Sequence, residues 1–516
     1  MQTRVFNFCS SAILGILRWM DGSLLFRALV NIFDFFRRVA AGSFILGLFF
    51  AKEDTHTQKK GVFENLLDKV LNSWFKPFVL PKTWPSVLSN ILGKSYVISR
   101  LSNALSTPFP TGGAGSIRNV AMWVFFAFPA WGTAGIVLFI PILPTMTLAY
   151  MLSLIILFTF LSRRFYVNHF AVILFMFIFV NFFAVISSFA MRQSLEIAIL
   201  SSVFVFISLI IPAIAKKEES IDVLLMAFLG GAAVAGLVGL YQHFAGYMGR
   251  EWLDVGLTAH ISFRVFSTFG NPNVYGIYLQ LVIPLAAVGV VYFKRNYLKL
   301  ACLALTALLL VNLLMTYSRG SYLALVFFIG VFVLLLEKRL IVLFVPALIG
   351  SLFVLPASVI IRIQSILDFT DTTAAYRFFI WEGTVRLLRD FWMVGVGQGR
   401  DAFMNVYTFY ALAGVPTPHT HNLILQFMSE IGIVGLIVFI GLIACYFRAV
   451  SNFYVRADNL RHKFLAAALI AAPLAFLFQG LFEHVFFNYS VLLSFYVFLG
   501  IGFACSRIMV RGSDET

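Results

Sequence analysis

The sequence predicts an all-α polytopic membrane bundle of about 12 transmembrane helices, with one large extracytoplasmic loop between spans 9 and 10. Three observations lead there. Hydrophobic residues make up 60% of the 516 and charged residues only 12%, roughly half the charged share of a soluble globular protein. Mean hydropathy is +0.92, so there is too little polar surface to clothe water-soluble domains. Apolar runs of about 18–22 residues, each near the length that crosses a bilayer, then recur along most of the chain. A net charge of +15 raises nucleic acid as a partner, but in such a chain it records the Lys/Arg excess of cytoplasmic loops. No nucleic-acid partner is expected.

Residues 1–118 form a separate basic region, with 14 Lys+Arg against 6 Asp+Glu. Their apolar runs are broken by charge at intervals that suit amphipathic helices lying on an anionic membrane surface, as at Phe35-Phe36-Arg37-Arg38 and Phe63 to Lys69. Residues 11–38 are interrupted by Arg18, Asp21, Arg27 and Asp34, and 39–51 is too short to span, so no cleavable signal peptide is expected. A Pro- and Gly-rich linker, Thr107–Ser116, ends this region.

Residues 119–506 are expected to hold the transmembrane domain, with spans near 119–140, 142–162, 170–191, 196–215, 222–242, 273–293, 300–317, 321–336, 340–360, 423–447, 464–482 and 488–506. The first two share one apolar stretch, divided at Pro141–Pro144. The basic clusters Arg163–Arg164, Lys216–Lys217, Lys294 to Lys299, Lys338–Arg339, Arg448 to Lys463 and Arg507 to Arg511 fall on alternate connections. By the positive-inside rule both termini then lie in the cytoplasm, including a short tail at 507–516. The cysteines, Cys9, Cys302, Cys445 and Cys505, show no paired spacing and all fall near the inner side, as a reduced compartment allows.

This threading leaves nine basic residues outside, and all are arginine: Arg192, Arg250, Arg264, Arg319, Arg362, Arg377, Arg386, Arg389 and Arg400. Charge bias alone does not separate arginine from lysine. The planar guanidinium grips phosphate or carboxylate through two hydrogen bonds, which a lysine cannot do. The outer side also carries the two long connections, 243–272 and 361–422, and a structured loop of about 60 residues is uncommon without a function.

Three outer segments carry candidate chemistry. Arg264 lies in Phe263-Arg-Val-Phe-Ser-Thr-Phe-Gly-Asn-Pro-Asn273, whose last three residues are helix-start chemistry with Asn273 a candidate cap. Arg319 lies in the tight link Thr316-Tyr-Ser-Arg-Gly-Ser321. The third segment is His419-Thr-His-Asn-Leu-Ile-Leu-Gln-Phe-Met-Ser-Glu-Ile-Gly-Ile-Val-Gly435. There His421 and Asn422 stand at the mouth of a span, and Glu430 lies about two and a half helical turns inside it. An intramembrane carboxyl is a functional candidate that needs a partner, and the Gly432/Gly435 pair suits close helix approach.

The run from His421-Asn422 through nine residues to Gly432-x-x-Gly435 resembles the signature of the O-antigen ligase and O-antigen polymerase superfamily of bacterial membrane proteins. The Arg264…Asn271-Pro-Asn273, Thr316-Tyr-Ser-Arg-Gly320, Arg377-Phe-Phe-Ile-Trp381 and Gly395-Val-Gly-Gln-Gly399 segments resemble it too, in the right order. The resemblance covers roughly residues 120–506 and does not reach the basic N-terminal region. It implies a glycosyltransferase of the bacterial plasma membrane, moving a glycan from an undecaprenyl-diphosphate carrier to an acceptor hydroxyl on a glycan, lipid or protein, without a metal or other cofactor. It assigns charge stabilisation on the diphosphate to Arg264 and Arg319, and proton removal from the acceptor to His421. Arg377, Trp381, Asn422 and Glu430 are then substrate-binding candidates.

A secondary transporter of a small anion such as bicarbonate is the alternative, since some members of the superfamily carry that label. Against it, transporters place substrate near the bilayer midplane on helices related by internal repeats. No clear repeat relates the two halves of this sequence, and apart from Glu430 the candidate polar residues gather near one membrane face.

Overall fold

A computed structural model describes residues 50–51, 117–162, 165–166, 169–246, 263–337, 346, 349–350, 355–365, 372–414 and 417–514. Among them the chain is helical, apart from a two-residue parallel pairing of Phe50–Ala51 with Phe165–Tyr166. Nearly all of the basic N-terminal region lies outside the described residues, and so does most of the ninth expected span.

In chain order the helices are α1 (Ile117–Phe139), α2 (Thr145–Ser162), α3 (His169–Ile186), α4 (Met191–Val205), α5 (Ile207–Ile214), α6 (Glu218–Phe244), α7 (Pro272–Tyr292), α8 (Asn296–Met315), α9 (Arg319–Leu336), α10 (Ala357–Gln364), α11 (Thr372–Phe391), α12 (Arg400–Tyr407), α13 (Leu423–Arg456), α14 (Leu460–Gln479) and α15 (Tyr489–Asp514). Eight helical stretches among the described residues are long and apolar enough to cross a membrane, with α4 and α5 counting as one. Helices α1, α2 and α3 are apolar as well, over Phe128–Phe139, Thr145–Thr159 and Phe170–Ile186. Apart from 340–360, each expected span therefore falls on a helix, and the protein is a polytopic helical membrane protein. The division of the first two spans lies where Pro141–Pro144 placed it, since α1 stops at Phe139 and α2 starts at Thr145.

The bundle has an inside and a rim. Of the apolar window of α7, 83% is buried, against 22% for α8 and for α9. Helix α7 is thus the central post, packed on α8, α14, α9 and α15, while α8 and α9 keep most of their apolar surface for lipid. Each end of the bundle collects one set of connections. At one end Arg461 and His462 meet Glu218, Arg461 donates to the Tyr292 carbonyl, and Arg507 donates to the Ala215 carbonyl at 2.7 Å. These come from the connections that the charge pattern assigns to the cytoplasm. The opposite end gathers the Arg264, Arg319 and His421 segments.

Helix α7 starts there for a local reason. Asn271, not Asn273, is the N-cap: its side chain accepts from the Asn273 N–H at 2.8 Å and the Val274 N–H at 3.4 Å, and Pro272 occupies the first turn. That frees the Asn273 side chain for another partner.

Candidate active site

The first wall of the site is cationic. Arg264 is buried, with 8% of its surface exposed. Its Nε donates to the Thr316 carbonyl at 2.8 Å and its Nη2 to Asn273 Oδ1 at 2.7 Å. The Val265 N–H donates to the Met315 carbonyl at 3.0 Å, so the Arg264 segment is tied to the end of α8. Three residues beyond Thr316, Arg319 opens α9 and donates from Nη1 to the Ser365 carbonyl at the end of α10, 3.1 Å away. Arg362 on α10 returns the contact, donating from Nε to the Tyr317 carbonyl at 3.1 Å. Burial lowers the Arg264 pKa to about 10, and the charges of Arg362 and Arg319 push the same way, opposed by Tyr322 and Glu483. It stays cationic at neutral pH, in a place where three guanidinium groups repel one another. An anion bound here relieves that repulsion.

The second wall is built by His421. Its ring Nδ1 lies 3.3 Å from Glu483 Oε2, and the other oxygen, Oε1, is paired with Arg377. Glu483 sits in the link between α14 and α15. The link is stitched to the His421 segment, because the Leu423 N–H donates to the Gly480 carbonyl at 2.7 Å and Asn422 Nδ2 to the Leu481 carbonyl at 2.9 Å. Arg377 and Trp381 lie four residues apart on α11, on one face of the helix. Arg377 reaches Glu483, and Trp381 Nε1 donates to the Thr420 carbonyl at 3.0 Å. Burial by itself would raise the Glu483 carboxyl, but Arg377, His421 and His419 outweigh it and hold it below the usual range.

Backbone strain marks the same segments. Among the described residues the non-glycine positions with left-handed φ are Ser267 (51°), Tyr317 (49°) and His421 (52°). Each lies within three residues of Arg264, within two of Arg319, or on the histidine itself. Such conformations cost about 1–3 kcal/mol apiece and persist where surrounding bonds over-determine them. Here those bonds include Gln242 Oε1 accepting from the Ser267 N–H at 2.8 Å, and Thr316 Oγ1 accepting from the Ser318 N–H at 3.2 Å.

Two further imidazoles flank His421. The His419 ring is 4.1 Å from that of His421 and 5.4 Å from that of His484, centroid to centroid. Burial, then the His421 charge, drives the His419 pKa down to about 3 despite the pull of Glu483, and burial takes His484 well below 6.5. Both are neutral when folded. The folded chain therefore binds fewer protons than the unfolded one below the ordinary histidine range, so stability is expected to fall as pH drops from about 6.5 towards 3. The slope is about 1.4 kcal/mol per pH unit for each proton taken up on unfolding. His419→Gln is expected to flatten this limb in unfolding curves recorded between those pH values.

Residues 304–440 match the family model described as O-antigen ligase. The match covers about a quarter of the chain and shows a likeness to that family. A Rickettsia felis protein that carries the name of a polysaccharide ligase is 31% identical over 98 residues, covering 18% of this chain and 24% of the relative. The chain thus spans about a quarter of the length of that curated relative. The matched stretch contains Arg319, Arg362, Arg377, Trp381, His421, Asn422 and Glu430. Arg264 and Glu483 lie outside it, on either side, and only the fold brings them in.

The expected site residues of this bundle separate into two groups. Arg264, Arg319, Arg377 and His421 stand at one end of the bundle, and Glu483 links Arg377 to His421. Trp381 and Asn422 buttress them: Trp381 holds the Thr420 carbonyl, and Asn422 caps α13 by accepting from the Leu425 N–H at 3.0 Å. Glu430 is elsewhere. Its carboxylate accepts from the Gly399 N–H at 3.2 Å and from Gln426 Nε2 at 2.9 Å. The partner that an intramembrane carboxyl needs is thus Gln426 and the backbone of the 392–399 loop.

The glycine pair of that signature also works differently from close helix approach. Gly432 has φ 67° and ψ −176°, a break inside α13. The loop 392–399 enters at this break: the Ile433 N–H donates to the Trp392 carbonyl at 2.9 Å, and the Val396 N–H to the Ser429 carbonyl at 2.7 Å. A Cβ on Gly432 would stand 2.1 Å from the Met393 carbonyl oxygen. Gly432→Ala is therefore expected to destabilise the protein by at least about 2 kcal/mol, from the left-handed φ and the clash together, read as a lower unfolding midpoint in detergent.

Glu483 was not found by sequence reasoning. The available signal was an acidic residue beside a histidine in the short outer link between the last two expected spans, where no other acid occurs.

Proposed function

We propose that the chain transfers a glycan from an undecaprenyl-diphosphate carrier to an acceptor hydroxyl on the outer side of the bacterial cytoplasmic membrane, as a surface-polysaccharide ligase or polymerase. The observation that carries this reading is a buried Arg264, with Arg319 and Arg362 beside it, at the same end of the bundle as a carboxylate-paired histidine. The O-antigen ligase match and the polysaccharide-ligase name of the relative favour glycan transfer over transport.

In this reading the diphosphate of the lipid carrier lies against Arg264 and Arg319, with Arg362 beside them. As the bond between the sugar's anomeric carbon and the phosphate oxygen breaks, its electron pair leaves on the phosphate. The guanidinium groups meet that charge in a site already organised by the Thr316, Ser365 and Tyr317 carbonyls and Asn273. The acceptor oxygen forms the new bond to the anomeric carbon, and its proton passes to the His421 ring. The charge then on His421 is balanced by Glu483.

The test uses the purified full chain in lipid nanodiscs with lipid-linked oligosaccharide. Glycan transfer should be matched by release of undecaprenyl diphosphate and depend on Arg264, Arg319 and His421. Full activity in all three alanine variants would sink the reading.

A further inference from the structure

We propose that Glu483 is a positioning residue for His421. Its Oε2 accepts the Nδ1–H of the imidazole and leaves Nε2 bare to take the acceptor's proton, while Arg377 fixes the carboxylate through Oε1. The inference rests on the reading of His421 as a base, and it moves Arg377 from substrate contact to support.

The geometry divides one carboxylate between two partners. Side-chain exposure is 13% for Glu483 and 26% each for Arg377 and His421, so all three stand mostly out of solvent. Every part of the frame is tied down. The Glu483 N–H donates to the Gln479 carbonyl at 3.1 Å, and the Asn422 and Leu423 bonds described above fix its link against the histidine segment. His421 itself has a left-handed φ of 52°, and its backbone N–H donates to His419 Nδ1 at 3.4 Å. That nitrogen must be bare to accept, so His419 carries its proton on Nε2. An imidazole with one nitrogen held by a carboxylate presents the other as its free lone pair, with the ring orientation set in advance. The same contact ties α11 to the reacting group. Arg377, four residues before Trp381, places the large outer loop one ion pair away from the base.

The first readout needs no substrate. Full-length protein with 15N-labelled histidine, reconstituted in nanodiscs at alkaline pH, gives the tautomer of His421 by NMR, with His421→Ala assigning its signal among the eight histidines. The expected result is a proton on Nδ1 and a bare Nε2. A proton on Nε2 in the unaltered protein would overturn the proposal outright. Glu483→Met should abolish the Nδ1–H preference. So should Arg377→Met/Glu483→Met, which leaves no lone buried charge and covers failure of the single variant to fold. An Nδ1–H signal unchanged in either variant would contradict the proposal.

Kinetics supply the second readout. Glu483→Met is expected to lower kcat about tenfold or more with the donor KM within about twofold, and to cause no further loss when His421 is already alanine. A further loss of the same size in that background would count against it. If His421→Ala kept full activity, the base assignment under the glycan-transfer reading would fall. The tautomer measurement would still decide the role of Glu483.

Discussion

His421→Ala is expected to lower turnover by about 10²–10⁴-fold, the range for loss of a positioned general base, with donor affinity close to that of the unaltered protein. The reason is where the residue stands. His421 is held at a strained φ of 52° and within 3.3 Å of a carboxylate, which fixes the orientation of its ring. Its alanine variant keeps the caps on either side, since Asn422 still accepts from the Leu425 N–H and the Thr420 carbonyl still accepts from Trp381. A fold defect should therefore be small. Donor binding measured with undecaprenyl diphosphate alone should be nearly unchanged, and a parallel loss of binding would place His421 in the diphosphate pocket instead.

The second large effect is at Arg264. Lysine keeps the charge but cannot bond the Thr316 carbonyl and Asn273 Oδ1 together while presenting further donors to a phosphate. Arg264→Lys is expected to lower kcat by about 10²–10³-fold, comparable to removal of a donor that meets transition-state charge. Arg386 provides the contrast. It is exposed and pairs with Glu382 one turn away on α11 at 2.8 Å, a surface contact worth about 0.5 kcal/mol. Arg386→Lys should leave transfer within about twofold. Equal losses in the two variants would mean that the outer arginines act through net charge, not through the built site.

Sequence patterning exposes the bundle well, because a span advertises itself by length and apolarity alone. Hence α7, expected at 273–293, is found at Pro272–Tyr292. It does less well where backbone geometry decides. The span expected from 196 begins at Met191 and breaks at Phe206 into α4 and α5, and α13 runs to Arg456, nine residues past its expected end. Asn271 and Asn273 are equally good caps on composition, and Pro272 between them settles which one caps.

The site was half legible. Arg264, Arg319 and His421 stand out because each is a polar residue in a connection beside an apolar span. Glu483, the partner of His421, belongs to a fourth connection, and a carboxylate there looks like ordinary surface charge until the fold sets it between Arg377 and His421. Even the nine arginines expected on the outer side divide only in three dimensions. Arg264, Arg319, Arg362 and Arg377 are drawn into the site, whereas Arg192, Arg386, Arg389 and Arg400 are exposed. Glu430 shows the opposite case. Its depth in a span suggested chemistry, yet its carboxylate serves the loop that enters at Gly432.

The most direct measurement is donor cleavage by the purified full chain in nanodiscs, supplied with lipid-linked oligosaccharide and acceptor. Free undecaprenyl diphosphate and glycosylated acceptor are counted together, for the unaltered chain and for His421→Ala. The expected result is one undecaprenyl diphosphate released per glycan transferred, and loss of both products in the variant. Equal product formation by the two proteins would contradict the account.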